Sequence, residues 1–330
     1  MKISVKGPAP ALAIAAMLFV QLGAALGAHL FDALTPAGTA WVRLTVAGAI
    51  LLAITRPPIL RMSRRTLLTT VGLGAVTGML MLMFIEAIAR IPLGTAVAIE
   101  FLGPLTVAAV RSHRRSALVW PGLALLGVVG LTQPWVGHLN LLGIGFACAA
   151  GASWGGYILL TQKVGDQLPG LQGLAISLST ASVAVAPFGL AGAVHGLTIP
   201  VAAQGIGIAI LAPLLPFVCE MRALRRMRVA AFGTLMAIEP GIAVLLGIAI
   251  LAQKPDLLQA VGVFAVIVAG IGAQRGPTPE GEESNGQESG RPESESPDPG
   301  ELLPHSPSVS RRRVRKARST ELSVKVSASS

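Results

Sequence analysis

The sequence predicts an all-α polytopic membrane protein, in which ten transmembrane helices form two inverted five-helix repeats and a disordered C-terminal tail follows. Three observations support this prediction: 52% of the 330 residues are hydrophobic and only 13% are charged, the mean hydropathy is +0.68, and long apolar stretches recur at regular spacing. A soluble domain of this size would need more polar surface to cover its core. The composition therefore excludes an ordinary cytosolic enzyme.

The apolar stretches have the length of membrane-spanning helices, since crossing a ~30 Å hydrocarbon layer takes about 20 helical residues. They lie at 9–29, 36–55, 66–85, 92–110, 117–133, 141–161, 172–192, 201–221, 229–251 and 255–273. The fifth stretch is short for a full span unless the bilayer thins or flanking residues contribute. Lys2 and Lys6 before the first stretch imitate a secretory signal peptide, but further apolar stretches follow, so we predict an uncleaved first helix.

Basic residues are distributed unevenly along the chain. Residues 1–273 contain 17 Lys and Arg against 7 Asp and Glu, whereas residues 274–330 contain nine of each. The net charge of +10 therefore belongs to the membrane part, and we expect no nucleic-acid partner. Between alternate loops the basic residues divide 14 to 2, with only Arg90 and Lys254 on the poorer side. Because cytoplasmic loops are enriched in Lys and Arg, both termini are predicted to be cytoplasmic.

A short motif occurs twice in the chain. Residues 94–100 (GTAVAIE) match residues 233–239 (GTLMAIE) at five of seven positions, at an offset of 139. Because each repeat has five helices, an odd number, the chain leaves the first repeat on the side of the membrane opposite to its start. The second repeat therefore enters the membrane from that opposite side. Inverted repeats of this kind are typical of secondary transporters, whose substrate site lies near the midplane. We assign residues 1–138 and 139–275 to the two repeats and residues 276–330 to the tail.

The tail differs sharply in composition from the rest of the chain. It is rich in Gly, Pro, Ser and Glu and has too few apolar side chains to offset the entropy of ordering, so we predict disorder. Two interpretations remain open for its basic cluster at residues 311–318. The cluster could contact anionic lipid headgroups, or it could be a solvated charge run without a partner.

Two carboxylates occupy equivalent positions inside predicted helices four and nine, Glu100 and Glu239. Placing a carboxylate in hydrocarbon is energetically unfavourable. Both side chains should therefore face the bundle interior and be neutralised by a proton, an ion pair or a substrate. This makes them candidate proton-coupling residues. Alternatively, each glutamate only accepts hydrogen bonds from backbone N–H groups that lack a helical partner at a kink. Pro104 and Pro240, which follow the two glutamates closely, favour such kinks.

Other polar residues are candidates for lining a substrate site. Arg43 is the one basic residue well inside a predicted span. It could pair with a glutamate or hold a substrate carboxylate, or its side chain could extend toward the interface. Gln21, Trp154 and Tyr157 are candidate lining residues, although Trp and Tyr also anchor helices at membrane interfaces.

Glu86 and Glu220 are further candidates for binding a proton or substrate, but they stand near helix ends, where hydration favours a role outside the site. Cys148 and Cys219 lie in apolar stretches and are expected to be buried, without a disulfide. The chain lacks metal-ligand spacings and catalytic motifs. We therefore expect no metal, no cofactor and no enzymatic activity.

Several of these segments together resemble a known family. They are residues 21–25 (QLGAA), 93–104 (LGTAVAIEFLGP) and 232–240 (FGTLMAIEP), together with Arg43. Over about residues 9–273 the chain resembles the EamA branch of the drug/metabolite transporter superfamily, and within it the threonine/homoserine exporters. The resemblance implies a ten-helix carrier of the bacterial inner membrane that exports amino acids or related small metabolites, with proton antiport.

Two features depart from that family: Gln253 and Lys254 stand where relatives often end helix nine with an acidic residue, and the tail is not part of the family core. Our hypothesis is an exporter with a cavity between its halves, where substrate binding and Glu protonation exclude each other. Expected partners are a small-molecule substrate, protons and the bilayer, with a homodimer plausible. The alternatives are a broad-specificity drug efflux carrier, which the 4% aromatic content disfavours, and a non-transporting membrane sensor or scaffold whose tail is the effector.

Overall fold

The computed structural model describes residues 8–59, 62–111, 115–136, 140–165, 167–168, 171–224, 226–227 and 229–274. The predicted disordered tail lies outside these residues. Within them the regular structure is helical, with no strand. Among the described residues, nine helical stretches are long and apolar enough to cross a membrane, and a further apolar stretch, Ser116–Thr132, is shorter. The all-helical class therefore agrees with the prediction, and the fifth stretch is short, as the sequence indicates.

Each predicted stretch contains helix, and the observed ends lie within four residues of the predicted ones. The helices are α1 Ala9–Ala28, α2 Phe31–Leu34, α3 Pro36–Thr55, α4 Arg64–Ile88, α5 Leu93–Glu100, α6 Leu102–Arg111, α7 Val119–Thr132, α8 Leu141–Gly165, α9 Gln172–Gly196, α10 Ile199–Ala209, α11 Leu215–Leu224, α12 Val229–Met236, α13 Glu239–Leu251 and α14 Leu257–Gln274. A 3-10 turn precedes α7, and a π-helical segment, Ile210–Leu214, joins α10 to α11. All fourteen helices belong to one compact unit.

The two helical stretches that carry the repeated motif are both interrupted at that motif. α5 ends at Glu100 and α6 begins at Leu102, while α12 ends at Met236 and α13 begins at Glu239. Pro240 lies in the first turn of α13, where the N–H that proline lacks would have no intrahelical partner. At the offset of 139 residues the two glutamates are equivalent, but the first interruption follows Glu100 and the second precedes Glu239. Each interruption places a glutamate at a helix end.

A third interruption lies between α10 and α11, and the sequence analysis did not predict it. Ala212, directly before Pro213, has extended backbone angles (φ −149°, ψ 113°) inside the π-helical segment. Pro213 lacks the N–H that a continuous helix requires. α1 packs closely here, because a Cβ added to Gly23 would lie 2.5 Å from the Ala212 Cβ. Pro213 is the signal for this feature in the sequence, but the prediction treated residues 201–221 as one uninterrupted helix.

The helices pack through small residues, as is usual inside membranes. α3 packs on α9, α4 packs on α8 and α9, α7 packs on α14, and α1 packs on α11. A Cβ added to Gly103 of α6 would overlap the Gly151 carbonyl of α8, and one added to Gly151 would lie 2.9 Å from the Glu100 carbonyl oxygen. The backbones of α5, α6 and α8 therefore meet directly at the first interruption.

The two cysteines differ in burial. Cys219 is buried, as expected, but Cys148 is exposed, which contradicts the prediction from its apolar neighbours. Leu141 and Leu159, seven and eleven positions away on α8, are exposed as well, so these residues share one outward helix face. In a membrane-spanning helix an apolar neighbourhood does not separate a lipid-facing side from the core.

A pair of side chains, Asp256 and Gln259, caps the start of α14, at the end of the membrane span Leu257–Gln274. Asp256 Oδ1 accepts a hydrogen bond from the Gln259 N–H at 2.8 Å, and Gln259 Oε1 accepts one from the Asp256 N–H at 3.0 Å. Gln133, after α7, donates through Nε2 to Asp256 Oδ2 at 2.5 Å. The Gln259 backbone hydrogen bond, and next the Gln133 side chain, hold the pKa of Asp256 below its usual value.

Asp256→Ala should lower the melting temperature of the purified protein at neutral pH, because it removes the cap of α14 and the contact with α7. Since the folded-state pKa of Asp256 is the lower one, the carboxylate stabilises the fold above the unfolded-state pKa, and this contribution is lost as pH falls through the folded-state value. Thermal unfolding at several pH values tests this, with Asp256→Asn, which keeps a capping oxygen, as the control. A deficit that stays constant into acid would contradict the prediction.

Candidate functional site

A buried hydrogen bond joins the first helix to the second repeated motif. Gln21 Nε2 on α1 donates to Glu239 Oε1 at the start of α13, at 2.9 Å. The two residues are 2% and 5% exposed. Their other oxygens, Gln21 Oε1 and Glu239 Oε2, are buried without a hydrogen-bond partner in the part of the chain that the structure describes. Because an unpartnered buried acceptor is unfavourable, the pair is suited to accept hydrogen bonds from a further donor.

Two other carboxylates lie near this pair. Glu239 interacts electrostatically with Glu100, at the end of α5, and with Glu220, on α11. Glu100 is 8% exposed. Glu220 in turn interacts with Tyr157 on α8. Five of the eight candidate residues from the sequence are thus linked in one group, which we call the acidic cluster: Gln21, Glu100, Tyr157, Glu220 and Glu239.

Trp154 borders the acidic cluster through an aromatic contact. Its ring lies edge-to-face against Phe101, with ring centroids 6.2 Å apart and an angle of 64° between the planes. Phe101 is the single residue between α5 and α6, directly after Glu100. Edge-to-face packing is a favourable arrangement for aromatic pairs. Trp154 therefore supports the chain where α5 ends.

Arg43 is buried in α3, with 3% exposure, but it does not pair with a glutamate. Its Nη2 donates to the Ala212 carbonyl at the interruption between α10 and α11, at 3.4 Å. Nε and Nη1 have no hydrogen-bond partner among the described residues. Arg43 also lies beside Gly27 of α1, where an added Cβ would be 3.8 Å from Nη1. Of the three roles open from the sequence, pairing with Glu100 or Glu239 does not occur in this conformation, and the 3% exposure argues against extension toward the interface.

Glu86 lies apart from the acidic cluster. It forms an ion pair with Arg90 at the end of α4, and the Arg90 guanidinium stands 4.9 Å from the centroid of the Phe146 ring on α8. This set of contacts fastens α4 to α8. Across the described ranges, no group of three or more His, Cys, Asp and Glu side chains could hold a metal ion.

Gln253 has a structural role that the sequence analysis did not find. Its Oε1 accepts a hydrogen bond from the Leu93 N–H at 3.2 Å, one of the backbone donors that a helix start leaves without an intrahelical partner. The contact borders a cavity of about 140 Å³ that includes Pro92 and Thr95. In the sequence Gln253 stands out only as a departure from the pattern of the family that the chain resembles, and no role followed from that departure.

The chain is similar to known transporters. Residues 141–272 match the EamA-like transporter family. The threonine/homoserine exporter RhtA of Escherichia coli (strain K12) is 36% identical over 267 residues, covering 79% of this chain and 89% of the relative. RhtA of Salmonella typhimurium (strain LT2) is 34% identical over 265 residues, covering 78% and 88%.

A protein of known crystal structure has a TM-score of 0.54 to this chain, at 18% sequence identity, and the match covers 81% of this chain and 97% of that one. At this identity the match shows the fold alone. The family match covers most of the second predicted repeat, whereas the identity to the exporters extends over nearly their whole length. On this evidence, the chain belongs to the EamA-like transporter family.

Proposed function

We propose that this protein is a secondary transporter that exports amino acids of the threonine and homoserine type, or closely related small metabolites, across the inner membrane of a bacterium. The observation that carries the proposal is the acidic cluster, in which Gln21 and Glu239 join the first helix to the interrupted second motif. Relatives that are threonine/homoserine exporters support the substrate class. The nine apolar helices support a multi-pass membrane location.

The proposed architecture has ten membrane helices in two inverted repeats, residues 1–138 and 139–275, with both termini in the cytoplasm. The shorter stretch Ser116–Thr132 is the fifth helix. Glu100 and Glu239, which occupy equivalent positions and each lie next to a helix interruption, support the repeats. Interrupted helices at a repeat interface are a common way for transporters to form a substrate site near the membrane midplane.

In the proposed mechanism, a proton and the substrate ammonium compete for the Glu239 carboxylate, and Gln21 Oε1 offers the ammonium a second acceptor. A buried carboxylate is stable only when a proton or a cation neutralises it. An ammonium group has three donors, and Gln21 Oε1 and Glu239 Oε2 are two adjacent acceptors free to receive them. Either occupant excludes the other, so a proton that enters from outside displaces the substrate outward. This exclusion produces antiport.

Transport into inside-out membrane vesicles tests the proposal. The vesicles should accumulate labelled threonine or homoserine when their interior is made acidic, and an uncoupler that collapses the proton gradient should prevent the accumulation. Vesicles without the protein are the control, and a panel of other amino acids defines the range of substrates. If no amino acid of the panel accumulates under the gradient, amino-acid export is wrong for this chain.

A further inference from the structure

Arg43 is a buried cation that the surrounding protein leaves uncompensated. Its side chain is 3% exposed, and its single hydrogen bond, from Nη2 to the Ala212 carbonyl, is long at 3.4 Å. Nε and Nη1 have no partner, and no carboxylate in the described ranges lies within salt-bridge distance. Burying a charged group without an opposite charge is strongly unfavourable. An anionic group would relieve this unfavourable burial.

The surroundings of Arg43 are those of a ligand site. Its guanidinium lies beside Ala212, where the α10–α11 stretch leaves helical geometry. At membrane depth, irregular backbone occurs only where it is buried in protein or lines a cavity, and interrupted helices commonly form transporter sites. On the α1 side lies Gly27, which has no side chain to fill the space near Nη1; an added Cβ would be 3.8 Å from that atom.

The unsatisfied groups of the site divide by chemistry into two sets. Arg43 has free donors on a positive charge, while Gln21 and Glu239 have free acceptors next to a carboxylate. Gly23 of α1 lies against Ala212, whose carbonyl binds Arg43, and Gly27 lies near Arg43 Nη1. Gln21, on the same helix, contacts Glu239. An amino acid carries the two matching groups, a carboxylate and an ammonium.

We propose that Arg43 binds the carboxylate of the exported molecule, so that the protein selects substrates that carry a carboxylate. This inference rests on the proposed export function and specifies its substrate class. Arginine forms strong, charge-assisted hydrogen bonds with carboxylates. Lysine supplies the charge but not the planar arrangement of donors, so it replaces arginine only in part.

The test compares L-threonine with L-threoninol, in which a hydroxymethyl group replaces the carboxylate. Unlabelled L-threonine should inhibit uptake of labelled threonine by wild-type vesicles, and L-threoninol should inhibit at least about tenfold more weakly. Arg43→Gln should raise the KM for threonine by about 10- to 100-fold, the range expected for a lost charged hydrogen bond. It should leave inhibition by L-threoninol unchanged, so the discrimination between the two compounds disappears.

Two further variants separate binding from folding. Arg56→Gln removes a cation from the end of the same helix, α3, and should keep the wild-type KM and discrimination. Arg43→Lys should recover part of the threonine affinity. Equal inhibition by the two compounds in the wild type, or an unchanged KM in Arg43→Gln, would overturn the carboxylate site alone. A wild type that accumulates no amino acid would instead overturn the export function together with this inference.

Discussion

Glu239→Gln should reduce gradient-driven amino-acid accumulation to the level of vesicles without the protein. Glutamine has nearly the shape of glutamate, and its Oε1 can still accept the hydrogen bond from Gln21 Nε2 that now measures 2.9 Å. The variant should therefore fold and keep the contact between α1 and α13. Because an amide neither binds nor releases a proton in this pH range, the variant loses the exchange of proton for substrate.

Glu100→Gln, alone and combined with Glu239→Gln, extends this test to the first motif. Both carboxylates interact within the acidic cluster, so we expect each single variant and the double variant to lose pH-dependent export. Asp256→Asn is the control, because it removes an exposed carboxylate directly before the start of α14, away from the acidic cluster. Normal pH-dependent export by the double variant would refute the coupling role of the two glutamates.

Gly103→Ala should strongly destabilise the protein, since the added methyl group would overlap the Gly151 carbonyl of α8. Backbone atoms on both sides leave no flexible side chain to move away. We expect the free energy of unfolding to fall by about 1–3 kcal/mol or more, as in overpacked cores. Transport should fall as well, because Glu100 lies at the same helix contact.

Gly145→Ala on α8 is the matched control for this packing argument. An added Cβ there meets nothing within 4 Å, and alanine favours helix over glycine by about 1 kcal/mol. Thermal unfolding of the purified variants in detergent, compared with the wild type, is the measurement. If Gly103→Ala and Gly145→Ala have the same melting temperature, the α6–α8 contact accommodates the added methyl group, and the packing argument is wrong.

The positions of the helices could be predicted from the sequence because membrane spans require long apolar runs. The interruption at Ala212 has a signal in the sequence, Pro213, but its close contact with Gly23, a residue remote in the chain, could not be predicted. The same limit applies to the orientation of each helix: Cys148 has apolar neighbours and yet faces outward. Apolar sequence indicates depth in the membrane and not the direction of a side chain.

The candidate site residues could be recognised individually, since a charged or amide side chain inside a membrane span is energetically unfavourable and therefore rare. The partners of these residues could not be recognised from the sequence. Gln21 and Glu239 are 218 positions apart, and Arg43 binds a backbone carbonyl rather than one of the glutamates considered. Backbone carbonyls occur at every residue, so such a partner leaves no trace in the residue pattern. The Ala212 carbonyl can be identified as the partner of Arg43 only from the three-dimensional structure, which places α3 beside the interruption between α10 and α11.

The helix pairs described above have a consequence for biosynthesis. α1, α3, α4 and α7 each pack against helices of the second half, namely α11, α9, α8 with α9, and α14. While the ribosome is still translating the second half, the helices of the first half lack these packing partners, and the faces that will contact the second half stay unpacked in the bilayer. Nascent chains arrested before α8 should therefore be degraded readily by membrane proteases, and protection should develop only when α14 has been inserted.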